Sequence, residues 1–247
     1  MNTTTAENKI MYTVNAQNFS KISGSPIAYW VSNQIFLCFD DCEKKAFDAM
    51  KGIQTGNGEK YLRMWFEVEL TNTGFNISTH DEMVKSQLKW FPLTSGGEVR
   101  KWYGNYEMVV NLYNDGAEIR RTRLKNFRLK EAEFYFLEGL TWTEVTTKNF
   151  ACRYLPSTIL FGNGGPVCFY NKNLFYNLAL FNSKVITVIM RIIAPTLNCG
   201  PDQVRALPIK YVKNDRIENI SKENVNKTKI DWDAFETSWD FKKHPLI

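Results

Sequence analysis

Arg100-Lys101-Trp102-Tyr103-Gly104-Asn105 places two cations, two aromatic rings and an amide beside the pair Gly96-Gly97. Lys and Arg contact phosphates, Arg, Asn and Gln read base edges, and aromatic rings stack on or wedge between bases. The same hexapeptide also suits a strand end with core rings and solvated cations. Between Arg120 and Lys130, six of eleven residues are Arg or Lys, so Arg120, Arg121, Arg123, Lys125 and Arg128 form the densest basic run. Four or more phosphate contacts from such a run would make binding steeply salt-dependent, whereas a solvated face would leave no such trace. Gln54-Thr55-Gly56-Asn57 is a polar turn whose amides could face bases, or equally a turn and nothing more. Asn163 lies in a second glycine-bearing loop, Gly162 to Pro166.

Catalytic chemistry finds less support. Two histidines, His80 and His244, leave little for a triad or an imidazole metal cluster. There is no G-x-x-x-x-G-K-[ST] loop, and G-x-G-x-x-G fails because Gly56 and Gly58 are followed by Tyr61, and Gly162 and Gly164 by Val167. None of the eight prolines follows Asn or Asp, so the Asn/Asp-Pro-Pro-aromatic loop of amine methyltransferases is missing. Glu43-Lys44-Lys45 supplies only the last part of a nuclease motif. No catalytic and no metal-ligating residues are assigned.

The elements that must position the binding residues read as α+β. The spacing predicts a helix from Ser25, with Pro26 at its first turn and Ile27, Trp30, Val31, Ile35 and Cys38 on one face. Strands are predicted over Arg63–Thr71, Leu88–Pro92, Tyr106–Leu112, Gly139–Val145, Cys152–Leu155 and Val167–Tyr170. Asn173–Ile193 reads as one long amphipathic helix, ended by Pro195. The expected architecture is a twisted, mainly antiparallel β-sheet with long loops, flanked by the N-terminal and the long amphipathic helix. The charged residues interrupting Leu174–Ala194 argue against a membrane span. The N-terminus has no signal-like apolar stretch. Five cysteines without a C-x-x-C pair are expected to be reduced thiols in the cytoplasm.

Several of these segments resemble one protein family. Gly24-Ser25-Pro26-Ile27-Ala28-Tyr29-Trp30, Gly52-Ile53-Gln54-Thr55-Gly56, Arg63-Met64-Trp65-Phe66-Glu67-Val68 and Lys89-Trp90-Phe91-Pro92 are similar to the region after the catalytic domain of large adenine-specific DNA methyltransferases. So are the Gly96–Asn105 segment, Gly139-Leu140-Thr141-Trp142-Thr143 and Leu180-Phe181-Asn182-Ser183-Lys184-Val185. The tail Asp231–Phe241 with His244-Pro245-Leu246 resembles most the methyltransferases of BREX phage-defence systems. The resemblance spans roughly residues 18–247 and implies a target recognition domain, which reads DNA while another domain flips and methylates adenine. It implies residues 1–45 as a helical connector from a catalytic domain, 46–212 as the recognition domain, and 213–247 as a linker or the start of a further domain. It also implies that S-adenosylmethionine binds in the parent enzyme and not in this chain. The expected partners are double-stranded DNA, the methyltransferase catalytic domain in cis or trans and other defence-system subunits, with no membrane. The DNA-contacting residues are expected among Gln54, Thr55, Asn57, Arg100, Lys101, Tyr103, Asn105, Arg120, Arg121, Arg123, Lys125, Arg128 and Asn163. The alternative is a protein-interaction module that docks a catalytic domain or another defence subunit.

Overall fold

A computed structural model describes residues 14–40, 42, 47–122, 126–170 and 172–247. Its strands are β1 (Asp48–Met50), β2 (Leu62–Met64), β3 (Trp90–Thr94), β4 (Met108–Asn111), β5 (Gly139–Trp142), β6 (Cys152–Leu155), β7 (Leu160–Phe161) and β8 (Val167–Phe169). They form two four-stranded sheets, β1-β8-β5-β6 and β2-β4-β3-β7. All pairings are antiparallel except β3 with β7. This is the α+β architecture expected from the sequence, with the strands divided between two sheets.

Every residue of β3 and of β5 is buried, which explains why their sequences read as continuous apolar runs rather than alternating ones. Pro92 is tolerated inside β3 because β7 pairs only with Leu93 and Thr94, beyond the missing N–H. The segment after β1 stitches the sheets together: Ile53 N–H donates to Phe161 O at 2.8 Å, Asn163 N–H to Ile53 O at 3.0 Å, and Gly162 N–H to Thr94 O at 2.8 Å. Gly52 is required at this seam, since a Cβ there would fall 1.8 Å from Phe161 O.

The helices are α1 (Asn33–Cys38), α2 (Gly58–Tyr61), α3 (His80–Ser86), α4 (Tyr113–Arg121), α5 (Leu174–Phe181), α6 (Lys184–Ile193), α7 (Pro201–Arg205) and α8 (Asp215–Trp232). One apolar cluster joins Leu140, Trp142 and Cys168 of the first sheet to Leu178, Phe181, Ile186 and Ile189 of α5 and α6. A second fills the other sheet around Phe91, Val110 and Ile119, and a third holds Tyr103, Tyr106 and Trp232. Residues 215–232, which show no clear apolar stripe, form α8 and pack on α5, with Trp232 buried.

Three local expectations are corrected. No helix starts at Ser25: Ser25 has φ +47°, and the helix begins only at Asn33. Ile27 and Trp30 are 72% and 56% exposed, so the helical spacing there had no apolar face to bury. The strand expected over Arg63–Thr71 ends at Met64 and gives way to 3-10 turns at Trp65–Glu67 and Leu70–Asn72. The Glu67 carboxylate accepts the Met64 N–H at 2.8 Å, and the Trp65 indole donates to Thr237 O at 3.0 Å; both contacts pull the chain out of the ladder. The Asn173–Ile193 helix is two helices bent by 71° at Asn182-Ser183, where Ser183 caps α6 by accepting the Ile186 N–H. No single helix among the described residues is long and apolar enough to cross a membrane.

Candidate nucleic-acid interface

The predicted binding residues fall into three groups. The first is the seam between the sheets. Gln54 and Arg128, 74 positions apart in sequence, exchange backbone hydrogen bonds at 2.8 and 2.7 Å. The Arg128 guanidinium then reaches Gly52 O at 3.3 Å and Asn163 Oδ1 at 3.1 Å, leaving the residue exposed. Three segments therefore bring an Arg and two amide residues together on a rigid backbone. Thr55 is buried beside them, and Asn57 caps α2 by accepting the Lys60 N–H at 3.1 Å.

The second group, Arg100 to Asn105, is woven into the fold. Arg100 pairs with Asp231 at 3.2 Å, and its guanidinium lies 5.0 Å over the Trp232 ring. Lys101 donates to Asn182 O at 2.9 Å, at the break between α5 and α6. Tyr103 packs edge-on against Tyr106, and burial pushes its hydroxyl up to about 12. Asn105 donates to Gly96 O and Glu98 O, closing the Gly96-Gly97 loop. Gly96 has φ +93° and a Cβ there would lie 2.6 Å from Gly164 O, so only glycine fits. Beneath this loop Arg153 is fully buried, donating to Gly96 O at 3.2 Å and Thr143 Oγ1 at 3.4 Å. Burial lowers its pKa from the ordinary arginine value, and no carboxylate pairs with it among the described residues.

The third group is α4. Arg120 donates through Nε to Asp115 O at 3.1 Å and pairs with the Asp115 carboxylate at 3.3 Å. Asp115 also meets His80 Nε2 at 3.0 Å. Arg121 is exposed beside them, while Arg123 and Lys125 lie outside the described residues.

Motif reading did not reach a cleft next to α4, lined by Asn72, Gln87, Lys89, Asn111 and Asn114. These residues are spread along the chain and converge through the pairing of β3 with β4 and the bridge between Thr73 and Trp90, so no linear motif marks them. S-adenosylmethionine finds no cradle in the most glycine-rich turn, Gly162–Gly165. Its backbone is closed on Thr94–Gly96, with Cβ positions at Gly164 and Gly165 within 3 Å of Ser95 O and Gly96 N.

The fold and these groups define an α+β module that presents guanidinium and amide groups from loops held by two sheets. No family model matches the chain. It is homologous to a segment of two adenine-specific methyltransferases: BrxX of Escherichia coli O9:H4 (strain HS) and PglX of Lacticaseibacillus casei (strain Zhang). Identity with BrxX is 40% over 235 residues, covering 93% of this chain and 18% of the relative. Identity with PglX is 31% over 250 aligned positions, covering 96% of this chain and 20% of the relative. The chain thus spans about a fifth of the length of the curated relatives it matches.

Proposed function

We propose that this chain is the DNA-binding target recognition portion of an adenine-specific N6 DNA methyltransferase in a BREX-type phage-defence system. On this reading residues 46–212 carry recognition, and S-adenosylmethionine binding and methyl transfer belong to other parts of the enzyme. The observation that carries the reading is the convergence of Gln54, Arg128 and Asn163 beside the basic run, in a chain homologous to a segment of adenine-specific methyltransferases. A guanidinium already held by Gly52 O and Asn163 Oδ1 loses little freedom on meeting a phosphate or a base, which favours contact.

The test is duplex-DNA binding by the chain, followed by fluorescence anisotropy between roughly 50 and 200 mM salt. Replacing Arg120, Arg121 and Arg123 together with Ala should weaken binding and reduce the salt slope by about 0.9 for each lost phosphate contact. An unchanged affinity and slope would mark the run as a solvated face.

A second reading, docking of a catalytic domain or a defence subunit, is favoured by Ile27, Trp30 and Leu37, all strongly exposed along one short segment. It predicts self-association or partner capture that Trp30→Ser relieves, with duplex affinity unchanged.

A further inference from the structure

An open cleft of about 470 Å³ lies beside α4, between the end of β4 and the segment that leads into β3. Its polar lining is set by the chain's own hydrogen bonds. Asn72 Oδ1 accepts the Lys89 N–H at 3.0 Å, and Asn111 Oδ1 accepts the Tyr113 N–H at 3.1 Å. A carboxamide whose oxygen is held this way has its NH2 edge fixed as well, and among the described residues no acceptor takes either NH2 group. Gln87 is turned the other way: its Nε2 donates to Val84 O at 2.9 Å, so its oxygen is left as an acceptor.

Two cations and a ring complete the set. Lys89 extends its ammonium 5.3 Å over the Trp90 ring, and Arg121 is exposed without an ion pair among the described residues. Tyr113 is 53% exposed. Glu118, also in the lining, pairs with Lys60, whose pKa this contact raises. The wall is shaped by three consecutive left-handed residues, Asn114, Asp115 and Gly116. Such backbone is unfavourable for the two non-glycine residues and persists only where the surrounding fold imposes it.

The cleft therefore offers two preorientated amide donors, two cations, one acceptor and an exposed ring. We infer that it is a nucleotide-reading site: Lys89 and Arg121 take a DNA phosphate, Asn72 and Asn111 donate to the acceptor edge of a base, and Tyr113 covers the base face. This rests on the DNA-recognition reading and adds to it the residues that discriminate sequence. Fixed donors suit an edge rich in acceptors, such as O6 and N7 of guanine, because a wrong base leaves the donors unpaired.

Asn72→Asp and Asn111→Asp keep the oxygen that accepts the backbone N–H and replace the NH2 donor by a charged acceptor. Asn226→Asp, exposed on α8, adds the same charge elsewhere. The chain and its variants are selected against a duplex pool with a randomised centre, and the bound DNA is sequenced. Affinities for the preferred duplex are then measured by anisotropy. Both cleft variants should melt close to the parent chain, bind about tenfold more weakly than Asn226→Asp, and lose preference at one base position. Tyr113→Leu, which removes an exposed ring, should weaken binding without changing the salt slope and serves where an Asp variant fails to fold. If the cleft variants and Tyr113→Leu match the control on DNA that the chain does bind, the cleft assignment fails alone. If the chain binds no duplex, this inference and the DNA reading fail together.

Discussion

Asn182 and Cys152 hold each other through a reciprocal pair: the Asn182 carboxamide accepts the Cys152 N–H at 3.0 Å and donates to the Cys152 carbonyl at 2.9 Å. The amide thus extends the edge that Trp102 begins along β6, supplying the acceptor for the Cys152 N–H, and it does so at the bend between α5 and α6. Asn182→Ala leaves the buried Cys152 N–H without a partner, at a cost of about 1–3 kcal/mol, while the Cys152 carbonyl keeps the Trp102 N–H at 2.9 Å. A loss of roughly 1–3 kcal/mol in urea unfolding is expected. An unchanged midpoint would mean that water or a shifted helix replaces the pair.

The end of α8 depends on Trp232, whose buried ring carries the Arg100 guanidinium on its face. Trp232→Ala should destabilise the fold by about 3–5 kcal/mol, while Arg100→Ala removes a partly exposed cation–π contact and an exposed ion pair with Asp231 and should cost about 0.5–1 kcal/mol. Hydrogen exchange is the check: both variants should speed exchange of the last turn of α8, Trp232→Ala far more. Equal effects would mean that the Asp231 contact dominates.

Much of this architecture was legible in the residues, and the exceptions have definite causes. Cys152–Leu155 reads as a short strand and is one, paired antiparallel with β5. The Asn114-Asp115-Gly116 stop after β4 is also visible, since these types tolerate left-handed backbone. The bend at Asn182 was hidden because helical spacing continues through it; the signal is the side chain's bond to a strand 30 positions earlier. The binding residues divide in the same way. Residue type marks Arg100 and Asn105 as polar binders, but the fold uses their side chains on Asp231 and on the Gly96 loop. The seam joining Gln54, Arg128 and Asn163 is a product of sheet topology, which local patterns do not encode.

Alkaline pH should unfold this chain early. Burial raises the thiols of Cys152 and Cys199 from 9.0 to about 12, and the Tyr103 hydroxyl from 10.0 to about 12. The native state holds these protons more tightly than the unfolded chain, so their contribution is fully present below pH 9 and drains as pH rises from 9 towards 12. Each thiol is worth at most about 4 kcal/mol across that window. Thermal melts should fall steeply above pH 9, and Cys199→Ala should flatten the fall. A slope that is indifferent to Cys199→Ala would place the titrating groups elsewhere.

Asp115 is the carboxylate that pairs with Arg120 of the basic run, and it also engages His80. Its φ is +54°, a conformation that Asn adopts as readily as Asp, so Asp115→Asn should leave the backbone of α4 in place. The substitution removes one negative charge and frees the Arg120 guanidinium from its ion pair. If α4 faces DNA, duplex affinity at low salt should rise several-fold, and the salt slope should steepen by about one unit as Arg120 takes up a phosphate. Anisotropy titrations of the parent chain and Asp115→Asn at matched ionic strengths read both quantities. A variant with the parent's affinity and slope would show that α4 points away from the duplex, leaving the seam at Gln54, Arg128 and Asn163 to carry the contact alone.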